Sequence, residues 1–438
     1  MVVAITVFSA LQAAESEVYA AEVEPVPRKG VFAFYYAPQL TPEDLSWAKR
    51  FKVFVSGAIL PPSQIQELKR AGTKLFLYEW ITGFYLGKDG ENSTNNSWES
   101  SVKKGKPEWL LNPQQPDAGP DGQHRAYYYD PFHPELRFAW AKRLAQTLKD
   151  SGYDGVFFDL VGSGSVPRDL LKVYDERHLE MPYDQALAGF LRSLRRLRPE
   201  ALLFTNQGYR VPESYLSVAD YKLSESLMTS YAWGESVRIY VEGEGLVEKQ
   251  ESFYRPWEEL KRHTETITTD IERVNPKLKI YHLNYVNPLY VPTGRTETID
   301  GREYPVFRKE MDRPAIYYGY AAAKLWGQES YSPAPELMHF GQDDIYFIDL
   351  GKPLGEGYEE RDGLVMRYYE KGVVALNRSG QRQTADLASR LIPPGTDKLF
   401  DCYARKVQQG FTVTLEPTVS PASGRTYPVG RIYLYQTP

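Results

Sequence analysis

The sequence predicts a (β/α)8 TIM barrel followed by a small antiparallel β-sandwich. Strand-type and helix-type segments alternate from residue 30 to residue 331, and the strand-type segments number eight. This alternation is typical of parallel βα units. Helical periodicity disappears after about residue 341, and short β-type runs separated by Gly, Pro and Asn follow. A length of 438 residues suits a barrel with one appended domain.

Residues 151–160 (Ser-Gly-Tyr-Asp-Gly-Val-Phe-Phe-Asp-Leu) are the stretch on which the prediction is built. Gly152 ends a predicted helix, and the apolar run 156–158 is typical of a strand covered on both faces. Asp159 interrupts that run near its end. A buried carboxylate is costly, so we expect Asp159 at the barrel mouth, where the chemistry of such barrels is placed. The alternative is a turn or capping residue, because the Gly/Ser-rich segment 161–165 follows directly.

The remaining elements follow from periodicity and from helix start and stop signals. Thr41 and Pro42 form a good helix start. Four apolar residues at steps of four, from Leu136 to Leu148, predict a helix that packs on the sheet. The irregular stretch 85–126 is either a substrate-facing loop or an insertion. The predicted barrel strands are 30–37, 52–59, 74–80, 156–159, 201–206, 221–228, 279–286 and 329–331.

The predicted domain limits are 28–338 for the barrel and 341–438 for the sandwich. Residues 1–22 are interpreted as a signal peptide or a disordered N-terminus. The apolar segment 2–14 is similar to the h-region of a secretory signal, although the positively charged n-region is missing. We therefore expect a secreted or periplasmic protein with no membrane span after signal removal.

Composition excludes several classes of function. The formal net charge is −5 and the chain has no basic tract, which argues against nucleic-acid binding. Cys402 is the single cysteine, so no intramolecular disulfide and no cysteine metal cluster can form. The six histidines show no metal-ligand spacing, and we expect neither a metal nor a cofactor. Aromatic residues make up 14% of the chain, which suits both a large core and stacking on sugar rings.

Two acidic residues are the candidate catalytic pair. Asp159 ends the fourth predicted strand and Glu225 lies in the sixth, so their side chains are expected to face each other at the barrel mouth. Two carboxylates across a sugar-sized cleft are the minimal apparatus for glycoside hydrolysis. Glu225 could equally be a buried structural acid. Glu79 is the chief competitor for a catalytic role and Asp130 a weaker one; both are also candidates for substrate contact.

The segments Asp130-Pro131, 152–159, 219–221 and Glu225 together resemble putative glycoside hydrolases near family 114, the endo-α-1,4-polygalactosaminidase-like barrels. The resemblance covers roughly residues 30–330. It implies a retaining mechanism with Asp159 as nucleophile and Glu225 as general acid/base. The segment Leu160-Val161-Gly162 departs from the family, which tends to have an Asn and a second Asp there.

We therefore expect a glycoside hydrolase with an oligo- or polysaccharide substrate. Strand-end and loop residues that could contact the sugar are Asn206, Trp233, Asn284 and Tyr285, although structural roles are open for each. The rival hypothesis is a catalytically inactive barrel that binds glycan as an envelope or matrix component. A lyase or esterase ranks last, because the chain has no Gly-x-Ser-x-Gly elbow.

Overall fold

The computed structural model describes residues 29–35, 38–85, 96–119, 125–206, 212–337 and 344–436. The predicted signal segment, 1–22, lies outside the described residues. The fold is a (β/α)8 TIM barrel followed by antiparallel sheets. The described helices are α1 Pro42–Ala48, α2 Pro62–Arg70, α3 Asn96–Gly105, α4 Pro134–Ser151, α5 Arg168–Arg177, α6 Tyr183–Leu197, α7 Glu213–Leu216, α8 Trp257–Val274 and α9 Arg313–Leu325.

All eight predicted barrel strands are present. They form one eight-stranded sheet whose spatial order is the order in the chain. The pairs β2–β3, β3–β4, β4–β5 and β5–β6 are parallel, as alternation with helices requires. The strands are β1 Gly30–Tyr35, β2 Phe51–Ser56, β3 Lys74–Trp80, β4 Gly155–Asp159, β5 Leu202–Asn206, β6 Tyr221–Glu225, β7 Lys279–Leu283 and β8 Glu329–Tyr331.

The local signals for helix ends are confirmed. Thr41 caps α1 through a capping box with Asp44, and Pro42 takes the first helical position. Gly152 ends α4 with a positive φ of 78°, a conformation that glycine adopts without a Cβ clash. The predicted stripe on α4, from Leu136 to Leu148, is fully buried.

Two long hairpins are absent from the prediction. One pairs Ser236–Val241 with Gly245–Gln250, and the other pairs Leu289–Ile299 with Arg302–Glu310; together they form a four-stranded sheet. The second hairpin turns at Asp300-Gly301, where φ is 50° and 74°. Asp-Gly with two positive φ angles is the common two-residue hairpin turn.

The C-terminal region is antiparallel, as predicted. A six-stranded sheet and the two-stranded sheet Gln383–Asp386 with Thr412–Leu415 share one hydrophobic core, to which Met366 and Val413 belong. The first of the β-type runs in the sequence, 345–350, is not a strand as predicted, because Asp344–Phe347 forms a 3-10 helix with three consecutive buried apolar side chains. The six strands are Glu359–Arg361, Leu364–Tyr369, Gly372–Asn377, Val429–Gln436, Lys398–Asp401 and Lys406–Gln409.

The described residues of the irregular stretch 85–126 form regular elements together with the residues that flank it. These elements are α3, the 3-10 helix Pro107–Trp109, and a three-stranded sheet of Gly83–Tyr85, Arg125–Tyr128 and Asp117–Ala118. Trp109 is buried, and Trp98 Nε1 donates to Tyr129 Oη at 3.0 Å. The two tryptophans therefore serve internal packing.

The chain divides into two compact units. One comprises Val31–Glu225 and Lys261–Tyr281, and it holds β1 to β6. The other is formed mainly by Ser226–Leu260 and the chain from His282, and it holds both long hairpins and the C-terminal sheets.

Candidate active site

Four consecutive strands end in polar side chains that meet at one place. Tyr78 lies near the end of β3, and Asp159, Asn206 and Glu225 are the last residues of β4, β5 and β6. All four belong to the first compact unit. The carboxyl ends of parallel strands share one edge of the sheet, so residues far apart in sequence come together there.

An aromatic layer supports these four residues. Side chains two residues apart on a strand point to the same face, and Phe76, Phe157 and Phe204 each stand two residues before a member of the site. Ring centroids of these residues and Tyr221 lie 5.1 to 5.7 Å from their neighbours in the layer. The four polar side chains therefore lie next to a packed layer of aromatic rings, which restricts the direction of each side chain.

Asp159 accepts three hydrogen bonds. Tyr78 Oη donates to Oδ2 at 2.5 Å, while the Leu160 backbone N donates to Oδ1 at 2.8 Å and Asn206 Nδ2 donates to Oδ1 at 2.9 Å. An ionised carboxylate only accepts hydrogen bonds, and three donors match that state. The side chain is half-buried, so it also reaches solvent.

Asn206 joins the two carboxyl groups. Its Nδ2 donates to Asp159 Oδ1 at 2.9 Å and to Glu225 Oε2 at 2.6 Å. The distance between Asp159 Oδ1 and Glu225 Oε2 is therefore at most about 5.5 Å, the sum of those lengths, which is compatible with the separation of about 5–5.5 Å in retaining glycosidases and shorter than the about 6.5–9.5 Å of inverting ones. Glu225 is half-buried like Asp159, whereas Asn206 is only 8% exposed.

The backbone turns sharply after each carboxylate. Leu160 and Ser226, the residues that follow Asp159 and Glu225, both have positive φ, 53° and 54°. This left-handed conformation costs energy for residues other than glycine, and such strain concentrates at functional sites. The two turns end β4 and β6 and leave the carboxylates at the strand ends.

Glu79 does not belong to this group. It is the next residue after Tyr78, so its side chain leaves the opposite face of β3 and forms an ion pair with Arg143 of α4. Glu79 is buried, and Arg143 also lies over the Trp98 ring at 5.5 Å. The structure thus places Glu79 in a buried ion pair, and its predicted substrate contact stays a prediction.

Glu99 of α3 is a second carboxyl beside that ion pair. Burial, followed by the charge of Glu79, raises the pKa of Glu99 to about 7, against the opposing charge of Arg143. Its Oε2 atom is buried and has no hydrogen-bond partner among the described residues. The pKa of Arg143 is itself raised, because Glu79 and Tyr129 outweigh the lowering effect of burial.

Asp130 is also separate from the four-residue group. It is fully buried, with Oδ2 2.9 Å from His178 Nε2 and 3.7 Å from Arg177. Its Oδ1 accepts from the Phe132 backbone N at 3.2 Å. These contacts hold the loop before α4, and a substrate contact for Asp130 stays a prediction.

The other three predicted contacts lie in the second compact unit. Asn284 is fully buried, accepts from the Met228 backbone N at 2.9 Å and donates to Ser330 Oγ at 2.9 Å. Trp233 is 52% exposed, and Tyr285 packs edge-on against Tyr231 at 5.0 Å. Asn284 therefore has a structural position, while Trp233 is accessible to a ligand.

Neither a metal cluster nor a membrane helix is found in the described part of the chain. No group of three or more His, Cys, Asp or Glu side chains there is arranged to hold a metal ion. No described helix is both long and apolar enough to cross a membrane.

Sequence reasoning missed Tyr78. It identified the end of β3 but selected Glu79, because both faces of the strand are apolar and the sequence does not show which face turns inward. Tyr78 shares a face with Phe76 and Glu79 shares one with Leu77, so the sequence holds no signal that separates the two candidates.

Comparisons with known proteins give the following picture. No protein-family model matches the chain, and no curated protein sequence matches it. The solved structures similar to this chain include glycoside hydrolases. The glycoside hydrolase domain of PelA from Pseudomonas aeruginosa is 21% identical, with 71% of this chain and 97% of that one covered and a TM-score of 0.45.

Two amylases are similar over a larger share of the chain. The Anoxybacillus alpha-amylase is 10% identical over 94% of this chain and 98% of that one, with a TM-score of 0.47. The noncanonic maltogenic alpha-amylase AmyB from Thermotoga neapolitana is 8% identical over 94% and 99%, with a TM-score of 0.49. Likenesses this weak carry no argument about activity, which has to rest on the geometry of the site.

Proposed function

We propose that the protein is a glycoside hydrolase that cleaves an oligo- or polysaccharide with retention of configuration. The observation that carries the proposal is the pair Asp159 and Glu225, held by one amide with carboxyl oxygens at most about 5.5 Å apart. At this separation one carboxylate reaches the anomeric carbon itself. A pair that activates an intervening water needs a wider gap of about 6.5–9.5 Å.

The hydrogen bonds support a division of roles. Asp159, with three donors around its charge, is the nucleophile. Its carboxylate forms a bond to the anomeric carbon as the bond to the leaving oxygen breaks, and Glu225 gives its proton to that oxygen. Glu225 then takes a proton from water, which attacks the anomeric carbon and releases Asp159.

The proposal also includes a polymeric substrate and export of the protein from the cell. Trp233 is more than half exposed, and an exposed indole presents the apolar surface on which a sugar ring stacks. The placement of the protein near glycoside hydrolase family 114 is supported only by the resemblance in sequence. Export rests on the apolar segment 2–14, and a polysaccharide outside the cell is the substrate that such a location offers.

The test is the anomeric outcome of hydrolysis. The full chain is incubated with a panel of neutral, amino and acidic polysaccharides, and proton NMR follows the first anomer released from any substrate that is cleaved. We expect release of the anomer that matches the original linkage. Release of the opposite anomer would contradict the retaining mechanism, and saturable binding of a glycan without any cleavage would favour the inactive glycan-binding barrel.

A further inference from the structure

Asn206 occupies an unusual position between the two carboxylates. It ends β5, the strand between β4 and β6, so its side chain stands between those of Asp159 and Glu225. Both N–H groups of its amide are used, one on each carboxylate. Its backbone carbonyl accepts from Val161 N at 3.3 Å, which ties it to the turn after β4.

The orientation of the amide has a cost. With Nδ2 on the two carboxylates, Oδ1 is buried without a hydrogen-bond partner among the described residues. The reversed amide would place an oxygen against two carboxyl oxygens, which would repel it. A buried polar atom left without a partner calls for an explanation, and the explanation here is the need for two N–H donors at one point.

We propose that Asn206 is the positioning residue that sets the separation of the two carboxyl groups. We also propose that it stabilises the negative charge on whichever of the two groups carries it. This inference rests on the proposed function. Before the first step Asp159 carries the charge, and after it the charge is on Glu225, because Asp159 has become an ester. One nitrogen that donates to both groups stabilises the anion in each state without moving.

Two nearly isosteric variants test the proposal. Asn206→Leu removes both donors, and we expect kcat to fall by about 10²-fold, the effect of a misplaced reacting group, while KM stays within about threefold. Asn206→Asp keeps the shape but can donate only while protonated. Three adjacent carboxyl groups raise one another's pKa values, so activity relative to the native protein should rise as pH falls.

A merely structural role predicts a different pattern. It would lower the Tm of Asn206→Leu, while the kcat of the folded variant would stay within threefold. Asn284→Leu is the matched control, since Asn284 is another buried strand-end asparagine whose amide contacts structural groups. We expect that variant to lower Tm without changing the shape of the pH profile. The proposal is overturned if Asn206→Leu keeps kcat within threefold or if the Asn206→Asp profile parallels that of the native protein.

The failure of this inference is distinguishable from the failure of the proposed function. If the native protein cleaves no glycan, the function fails, and crystal structures of the native protein and Asn206→Leu still test the positioning. We expect the distance between the Asp159 and Glu225 carboxyl oxygens to exceed about 5.5 Å in the variant. An unchanged separation would refute the positioning role even in an active enzyme.

Discussion

Two pairs of carboxylates lie near the neighbouring residues Tyr78 and Glu79 of β3 and differ in what surrounds them. Asp159 and Glu225 are half-buried, and among the described residues Asp159 accepts from the neutral donors Tyr78, Asn206 and a backbone N–H. Glu79 and Glu99 are buried beside the charged side chain of Arg143. Asp159 and Glu225 form an open pair, whose half-buried carboxylates reach solvent and can exchange protons with a substrate. Glu79 and Glu99 form a sealed pair, in which the single guanidinium of Arg143 balances one of the two charges, while burial and Glu79 raise the pKa of Glu99.

The largest expected difference is in catalysis. Glu225→Gln removes the proton donor, and we expect kcat to fall by about 10²–10⁴-fold. Asp159→Asn removes the nucleophile and should lower kcat at least as much. Glu79→Gln is the matched control, because it removes a carboxyl next to Tyr78 near the end of β3 without changing Asp159 or Glu225. We expect its kcat to stay within tenfold and its Tm to fall, in assays on whichever substrate the native protein cleaves.

The comparison would be broken by the reverse result. If Glu79→Gln abolished hydrolysis in a folded protein while Glu225→Gln remained active, the catalytic pair would include Glu79 and the roles assigned to the two pairs would be exchanged.

The next largest effect concerns stability. Arg143→Met keeps the length of the side chain but leaves Glu79 and Glu99 buried without their cation. Breaking a buried ion pair by removing one partner costs about 3–5 kcal/mol, and we expect a loss of that size in the free energy of unfolding by urea denaturation. Glu225→Gln, a change in the half-exposed pair, should alter the same quantity by about 1 kcal/mol or less. Equal losses in the two variants would contradict the distinction between a sealed and an open pair.

The two pairs also mark the limit of what the sequence predicts. The barrel strands, the Thr41 cap and the Gly152 helix end depend on local chemistry, and all three are confirmed. The sequence does not show which of Tyr78 and Glu79 points to the inside of the barrel. Strand β3 is apolar on both faces, and only its neighbours decide which face turns inward.

Contacts made by irregular segments were equally hidden. Glu99 lies close to Glu79 and Arg143 because α3 packs beside them, and no periodicity in the sequence predicts that contact. The hairpin at Asp300-Gly301 is a different case, because the Asp-Gly pair in the sequence is itself typical of a two-residue hairpin turn.

The smallest effect concerns pH and isolates the sealed pair. The folded-state pKa of Glu99, about 7, lies above its ordinary value of 4.5, so the folded chain binds the proton more tightly than the unfolded chain. The stabilisation is fully present below pH 4.5 and is lost as pH rises through 7. Its size is at most about 3 kcal/mol, the upper limit set by the difference between the two pKa values, because solvent screening reduces it.

Glu99→Gln holds a neutral side chain at every pH and should therefore remove this dependence. We expect urea denaturation between pH 4.5 and pH 7.5 to give a flatter curve of unfolding free energy for the variant than for the native protein. Some slope should remain, because burial also raises the pKa of Asp312, in the second unit, to about 6. Parallel curves for the two proteins would mean that Glu99 titrates in the folded state as it does in the unfolded chain, and that Arg143 balances both carboxylates at once.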